Sequence, residues 1–224
     1  VNQRVPRFFT STVGTKVVVG LTGLLLCGFL LTHLAGNFLL FAGAGPFNRY
    51  SHALTSNPLI YLAEAGLFAI FAVHIGFAIR LTRENRKARP QPYGYKSPAG
   101  HTSRKSVASS TMIYTGLLVF LFVVIHLNNF KFGDDFLTSD DSMRDIHRTV
   151  LEYFQAGTGV LMYAGFMIVL GFHLWHGFSS AFQSLGLDHP KLGRGLVLIG
   201  RLFAVAVAGG YLVLPFWMHF HYKS

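Results

Sequence analysis

Five apolar blocks limit what this chain can fold into. They run from about Val17 to Ala42, Leu59 to Ile79, Thr111 to Phe130, Phe154 to Ala181 and Leu196 to Trp217. Each is long enough to cross a hydrocarbon core of about 30 Å as a helix. Charged residues make up 12% of the 224, against about 25% in a typical soluble domain. That is too little charge to cover a free-standing soluble enzyme. At roughly 22 residues per helix, about half the chain lies in the membrane. The remainder is short loops, with no room for a second folded domain. The expected fold is therefore all-α, one integral membrane bundle of five transmembrane helices over residues 1–224. The first block is too long for the apolar region of a cleavable leader and is read as a span. The sequence is read as free of internal repeats.

Glycine is frequent inside the blocks, at Gly20, Gly23, Gly28, Gly76, Gly165, Gly171, Gly177, Gly209 and Gly210. In a membrane bundle such residues let backbones, or a flat cofactor, approach closely. Cys27 is the only cysteine. A covalently attached c-type haem, an iron–sulfur cluster and a cysteine zinc site within this chain are thereby excluded.

The formal net charge is +10, and its placement sets an expected orientation. One side carries Arg4, Arg7, Lys16, Arg80, Arg83, Arg86, Lys87, Arg89, Lys96, Arg104, Lys105, Lys191, Arg194 and Arg201. The other carries Arg49, Lys131, Arg144, Arg148 and Lys223, with Asp134, Asp135, Asp140, Asp141, Asp145 and Glu152. The N-terminus is expected to be cytoplasmic and the C-terminus outside, as five spans require. The basic loops need no nucleic acid to explain them; they suit orientation and a docking face for a partner.

Five histidines fall inside the blocks: His33, His74, His126, His173 and His176. A histidine at membrane depth is costly unless paired or liganded. Counting about 1.5 Å per residue from the basic edge places His33 roughly 25 Å in, His126 roughly 31 Å, His74 roughly 9 Å and His173 roughly 15 Å. The four sort into an outer pair, His33 with His126, and an inner pair, His74 with His173. Two imidazoles at matched depth on different helices suit bis-histidine haem b. A mononuclear copper or zinc site wants three or four ligands at one depth. His173 and His176 lie three apart on one helix, so both cannot be axial to one iron. His173 is the better ligand, because Gly177 clears space on its face. His176 is the alternative, or a contact to a propionate, a quinone oxygen or water. His52, His101, His147, His189, His219 and His221 fall in loops or at helix ends, where solvated or interfacial roles are expected.

Several stretches now resemble a known family. They are HLAGN from His33 to Asn37, HIGFAIR from His74 to Arg80, VVIHL around His126, and GFHLWHGFSSAFQSLG from Gly171 to Gly186. In order and placement, the chain resembles the cytochrome b membrane-anchor subunit of succinate dehydrogenase and fumarate reductase, in its single-chain, five-helix, two-haem class. In that class the fourth ligand is followed by Gly at the fourth position and by another Gly nine residues further on. His173, Gly177 and Gly186 match that spacing. The resemblance implies that His33, His74, His126 and His173 ligate the iron of two b haems. It also implies a flavoprotein and an iron–sulfur partner on the cytoplasmic face, with electrons passing through the haems to or from a membrane quinone, more in keeping with menaquinone than ubiquinone. The expected location is the inner, cytoplasmic membrane of a prokaryote. Some members carry a glutamate two residues before the fourth ligand. Here that position is Gly171, which departs from their proton path.

Quinone chemistry needs hydrogen-bond partners and a proton route. Glu64 is the only acid inside a block. It reads as a proton group near an outer quinone site, or as an interfacial carboxylate paired with Arg49 or a neighbouring helix. At the inner end His176, Ser179, Ser180 and Gln183 are read as lining a second quinone pocket, or as holding propionates with Arg80 or Lys16. Trp175 and Trp217 read as interface aromatics. Two other functions remain in view: the cytochrome b subunit of a formate dehydrogenase or hydrogenase, and a haem-free transporter or anchor that uses membrane histidines for protons.

Overall fold

The computed structural model describes residues 8–9, 11–88, 110–140, 142–187 and 193–222. Arg4, Arg7, Arg89, Lys96, Arg104, Lys105, Asp141, Lys191, Lys223, His101 and His189 lie outside the described residues. Seven α-helices occur among the described residues: α1 Thr12–Asn37, α2 Ala44–Thr55, α3 Leu59–Lys87, α4 Met112–His126, α5 Ile146–Gln155, α6 Gly157–Ser184 and α7 Gly193–His221. A 3₁₀ turn, Phe38–Ala42, follows α1, and a π turn, Leu127–Lys131, follows α4. No strand occurs among the described residues. Five segments are long and apolar enough to cross a membrane: α1 with its 3₁₀ turn, α3, α4 with its π turn, α6 and α7. The protein is a multi-pass membrane protein.

The spans alternate in direction. Thr12 of α1 meets Glu84 of α3, and Gly20 of α1 meets Ala181 and Ser184 of α6. Met112 of α4 lies against Gly177 of α6, and Gln155 beside α6 bonds the Tyr222 carbonyl beyond α7. Thus α1, α4 and α7 start at one end, called the first end, where α3 and α6 finish. Packing runs α3–α1–α6–α4 around a ring, which a slight contact between α4 and α3 closes. Helix α7 covers α6 from outside the ring. The diagonals, α1 with α4 and α3 with α6, are not packed pairs. Helix α3 buries no residue and α4 buries only Thr115.

Small residues set the close crossings. A Cβ on Gly20 would lie 3.1 Å from the Ala181 carbonyl oxygen, and one on Gly200 would lie 3.3 Å from the Ser179 nitrogen. In lipid, helix association rests on such close packing rather than on hydrophobic expulsion. Apolar burial concentrates in two clusters. One joins Cys27, Met167, Leu170, Leu174, Ala204 and Val207 between α1, α6 and α7. The other joins Leu34, Leu40, Phe47, Val150, Phe154, Tyr163 and Met218 at the second end.

Several helix ends lie beyond the apolar blocks, as where α3 runs on to Lys87 past Ile79, and two boundaries differ in kind. The first block leaves the α-helix at Asn37 and finishes as the 3₁₀ turn, which Gly43 ends at φ 91°, a backbone region that favours glycine. The fourth block does not begin at Phe154. Phe154 belongs to α5, a separate helix divided from α6 by Ala156, whose ψ of 116° is extended.

The helices α2 and α5 were not expected, and they cap the second end together. Asp145 is the N-cap of α5: its carboxylate accepts from the Arg148 amide at 3.0 Å. The same oxygen accepts from the Asn48 side chain of α2 at 2.7 Å, and the Asn48 carbonyl oxygen accepts the His147 amide at 2.9 Å. The preceding loop is tied by Asp140, which accepts from the Thr138 hydroxyl and from the Ser142 amide and hydroxyl. Those bonds hold its carboxyl down at about 2.

His147 gives this cap a pH dependence. It is 5% exposed, between the rings of Phe47 from α2 and Tyr222 after α7. Burial lowers its pKa, and the nearby Asp145 carboxylate opposes part of that shift. A histidine whose folded pKa lies below its unfolded value of 6.5 stabilises the fold fully above 6.5. That contribution is lost as pH falls from 6.5 through the lower folded value. The melting temperature in detergent is therefore expected to fall between pH 7.5 and 5, and more steeply in wild type than in His147→Phe. Parallel curves for the two proteins would remove His147 as the cause.

Candidate cofactor-binding site

Helices α1 and α4 carry the same pattern. Thr22-Gly23-Leu24-Leu25 on α1 is matched by Thr115-Gly116-Leu117-Leu118 on α4. In each, a histidine follows the threonine by eleven residues, His33 and His126. The match is four residues long, with the histidine at the same distance beyond it. Each unit receives a histidine from the helix beside it, His74 of α3 on α1 and His173 of α6 on α4.

The two contacts are alike in detail. The Thr22 hydroxyl oxygen lies 3.0 Å from His74 Nδ1, and the Thr115 hydroxyl oxygen lies 3.2 Å from His173 Nδ1. Each hydroxyl proton goes back along its own helix. Thr22 donates to the Val18 carbonyl at 2.7 Å, and Thr115 to the Met112 or Thr111 carbonyl at 3.1 and 3.2 Å. With its one proton engaged, each oxygen is the acceptor, so the histidine Nδ1 carries hydrogen and Nε2 keeps the lone pair. The neighbouring glycine makes room for the ring. A Cβ on Gly23 would lie 3.2 Å from His74 Cε1, and one on Gly116 would lie 3.3 Å from His173 Cε1. His173 lies within electrostatic reach of both His74 and His176.

The outer pair sits about 16 Å further along, eleven residues at about 1.5 Å each. The ring centroids of His33 and His126 are 5.8 Å apart at an interplanar angle of 89°. His33 stacks on Phe29 at 5.2 Å and faces Tyr211, whose hydroxyl donates to the Leu30 carbonyl. His126 is surrounded by Phe122, Phe130 and Tyr163, and its Nδ1 is buried without a hydrogen-bond partner. The structure therefore brings His33 and His126 into ring contact across one diagonal, and puts His74 and His173, on the helices of the other diagonal, within electrostatic reach. Among the described residues, no three His, Cys, Asp or Glu side chains converge as a metal site.

No protein-family model, curated protein or solved structure matches this chain.

The remaining candidates have distinct surroundings. Glu64 forms an ion pair with Lys131 of the π turn after α4, where Arg49 had been one expected partner. Arg49 instead folds back along α2 over Gly45. Ser179 is buried in the α6–α7 seam against Gly200, with its hydroxyl directed to the His176 carbonyl at 3.4 Å. Ser180 supplies a carbonyl to the Ser184 hydroxyl. His176, Ser180 and Gln183 are half-buried near the first end. Arg80 bonds Glu84 at 2.7 Å and the Phe9 carbonyl at 2.9 Å, so it ties α3 to the start of α1. Gly171 packs on α7, where its Cβ would meet that of Ala208 at 3.2 Å. A glutamate there would have to enter a closed helix seam. Trp175 lies under the Arg201 guanidinium at 5.4 Å, and Trp217 stacks on His221 at 4.2 Å.

Thr22 and Thr115 are the site residues that reading the sequence missed. The signal was available as a Thr-Gly pair at equal distance before each outer histidine. A threonine in an apolar helix ordinarily bonds its own backbone, so nothing in the pattern alone directed it to a histidine on another span.

Proposed function

We propose that this chain is the cytochrome b membrane anchor of a succinate:quinone oxidoreductase, holding two b haems between paired histidines, His33 with His126 and His74 with His173. The observation that carries the reading is the two-layer arrangement of four histidines from four helices, facing each other across a ring whose diagonals are unpacked. Three further features support a flat group with two axial imidazoles. His126 is enclosed by Phe122, Phe130 and Tyr163 in the outer layer. The inner histidines present Nε2 lone pairs because their Nδ1 protons are engaged. Helices α3 and α4 bury almost none of their own side chains.

Bound haem supplies one-electron chemistry that no side chain here provides. The chain's own residues orient and insulate. The threonines and glycines fix the inner rings. Phe29, Phe122 and Phe130 exclude water from the outer pair. The first end carries Lys16, Arg83, Arg86, Lys87 and Arg194 among the described residues. By the positive-inside rule it faces the cytoplasm of a prokaryote and docks the flavoprotein and iron–sulfur partners. Glu64, beside Lys131 at the second end, holds or releases a proton at an outer quinone site, menaquinone in this reading. His176, Ser180 and Gln183 serve the inner group's periphery.

A pyridine haemochrome assay on the purified protein tests the central claim. About two b haems per chain are expected, reduced by succinate when a flavin-bearing partner co-purifies. Freshly prepared protein without b-type haem sinks the proposal. Haem reduced by formate or hydrogen, and not by succinate, would move the chain to another respiratory complex.

A further inference from the structure

We infer that Thr22 and Thr115 are positioning residues that lower the reduction potential of the inner redox group. The inference rests on the haem reading above and adds to it a device for the inner layer alone.

Each threonine hydroxyl has one proton, and the nearby carbonyls of its own helix take it: Val18 for Thr22, Met112 or Thr111 for Thr115. Each oxygen is then an acceptor aimed at a histidine Nδ1 on the adjoining span, at 3.0 and 3.2 Å; the Val19 backbone also hydrogen-bonds His74, so the larger effect is expected from Thr115→Val. Such a bond fixes the tautomer and the ring plane, and it makes the opposite nitrogen a more basic ligand. A more basic imidazole would favour the oxidised, more positive state of a bound redox iron, so its potential would fall. If His74 and His173 hold one group, the two bonds would act on both of its ligands in the same direction.

The outer layer lacks this device. His126 Nδ1 is buried without a partner, and aromatic rings surround it. The repeat along α1 and α4 explains how one pattern yields two different layers. In each unit the threonine serves the neighbouring helix's histidine, while among the described residues His126, eleven residues on, has no hydrogen-bond partner at Nδ1. The glycine after each threonine is part of the device. A Cβ at 3.2 or 3.3 Å from Cε1 would oblige the ring to give by a few tenths of an ångström.

The test is a spectroelectrochemical titration of the intact purified complex. It compares wild type, Thr22→Val, Thr115→Val, the double variant, and the Thr22→Ser and Thr115→Ser proteins. Valine keeps the shape and removes the acceptor; serine keeps the acceptor. The inner group's midpoint is expected to rise in each valine variant and further in the double. At the potential where the wild-type inner group is half reduced, the variants would be mostly reduced. The outer midpoint stays in place, and serine restores the wild-type value. The low-spin ferric resonance of the inner group shifts in parallel. If a valine variant loses the inner group while its serine counterpart keeps it, the positioning role stands. Loss in both, or an unmoved inner midpoint with two haems bound, overturns the inference and leaves the haem reading intact. Wild-type protein without haem overturns both.

Discussion

If the chain holds two b haems as proposed, replacing His74 by alanine is expected to halve the haem content, from about two groups per chain to about one, and to leave the outer group's spectrum and potential unchanged. His173→Ala should give the same product. His33→Ala and His126→Ala should give the reciprocal one, with the inner group retained. The expectation follows from the separation of the layers. His74 and His173 are held by Thr22 and Thr115, one on each wall of the ring, and the His33–His126 pair lies about 16 Å away along the helices. Neither layer shares a histidine with the other. Haem per chain by pyridine haemochrome, combined with a redox titration that shows one wave in place of two, reads the outcome directly. Gel filtration and far-UV circular dichroism on the same samples separate loss of a ligand from loss of the fold. If each of the four variants keeps both groups while remaining folded, the assignment of these histidines is wrong. His176→Ala should keep two groups, because His176 lies one turn nearer the first end than His173.

The second large effect concerns packing and does not depend on any cofactor. Gly20→Val is expected to lower the melting temperature in detergent sharply. A Cβ there would already sit 3.1 Å from a backbone oxygen of α6 and 3.3 Å from Ser184 Cβ. A carbonyl of a packed helix cannot rotate away, so the helices must separate. Overpacking typically costs about 1–3 kcal/mol, and a contact with backbone belongs at the upper end. Gly209→Ala is the control, since a Cβ at Gly209 meets nothing within 4 Å. Its stability should match wild type or slightly exceed it, as alanine is the better helix former. A Gly20→Val protein as stable as wild type would mean that α1 and α6 do not cross this closely. Because Gly20 is two residues before Thr22, the same variant should also disturb the inner histidine layer.

The five spans were legible in the sequence because bilayer thickness converts directly into a length of apolar chain. Their ends were less so. Phe154 continues an apolar run into α6, but Ala156 breaks the helix there, and hydrophobicity carries no record of a dihedral angle. The cap made by α2 and α5 was missed for a related reason. Its helices are short, and the tie between them joins Asn48 to Asp145 across 97 residues. The Asp145 N-cap was a readable local signal; its partner was not.

The candidate site divides in the same way. Sequence alone determined that histidines occur at two depths on four apolar segments, since depth follows from counting residues along a helix of fixed rise. It also determined which end is basic. Only the tertiary structure decided which faces of the helices meet. It turned Thr22 toward His74 and Thr115 toward His173, paired Glu64 with Lys131, and put Ser179 in the α6–α7 seam. Helix rotation and crossing depend on which small residues allow close approach, and those contacts join residues 52 and 58 positions apart in the threonine pairs. A one-dimensional pattern fixes position along the bundle axis, whereas the angle around that axis is set by packing between spans.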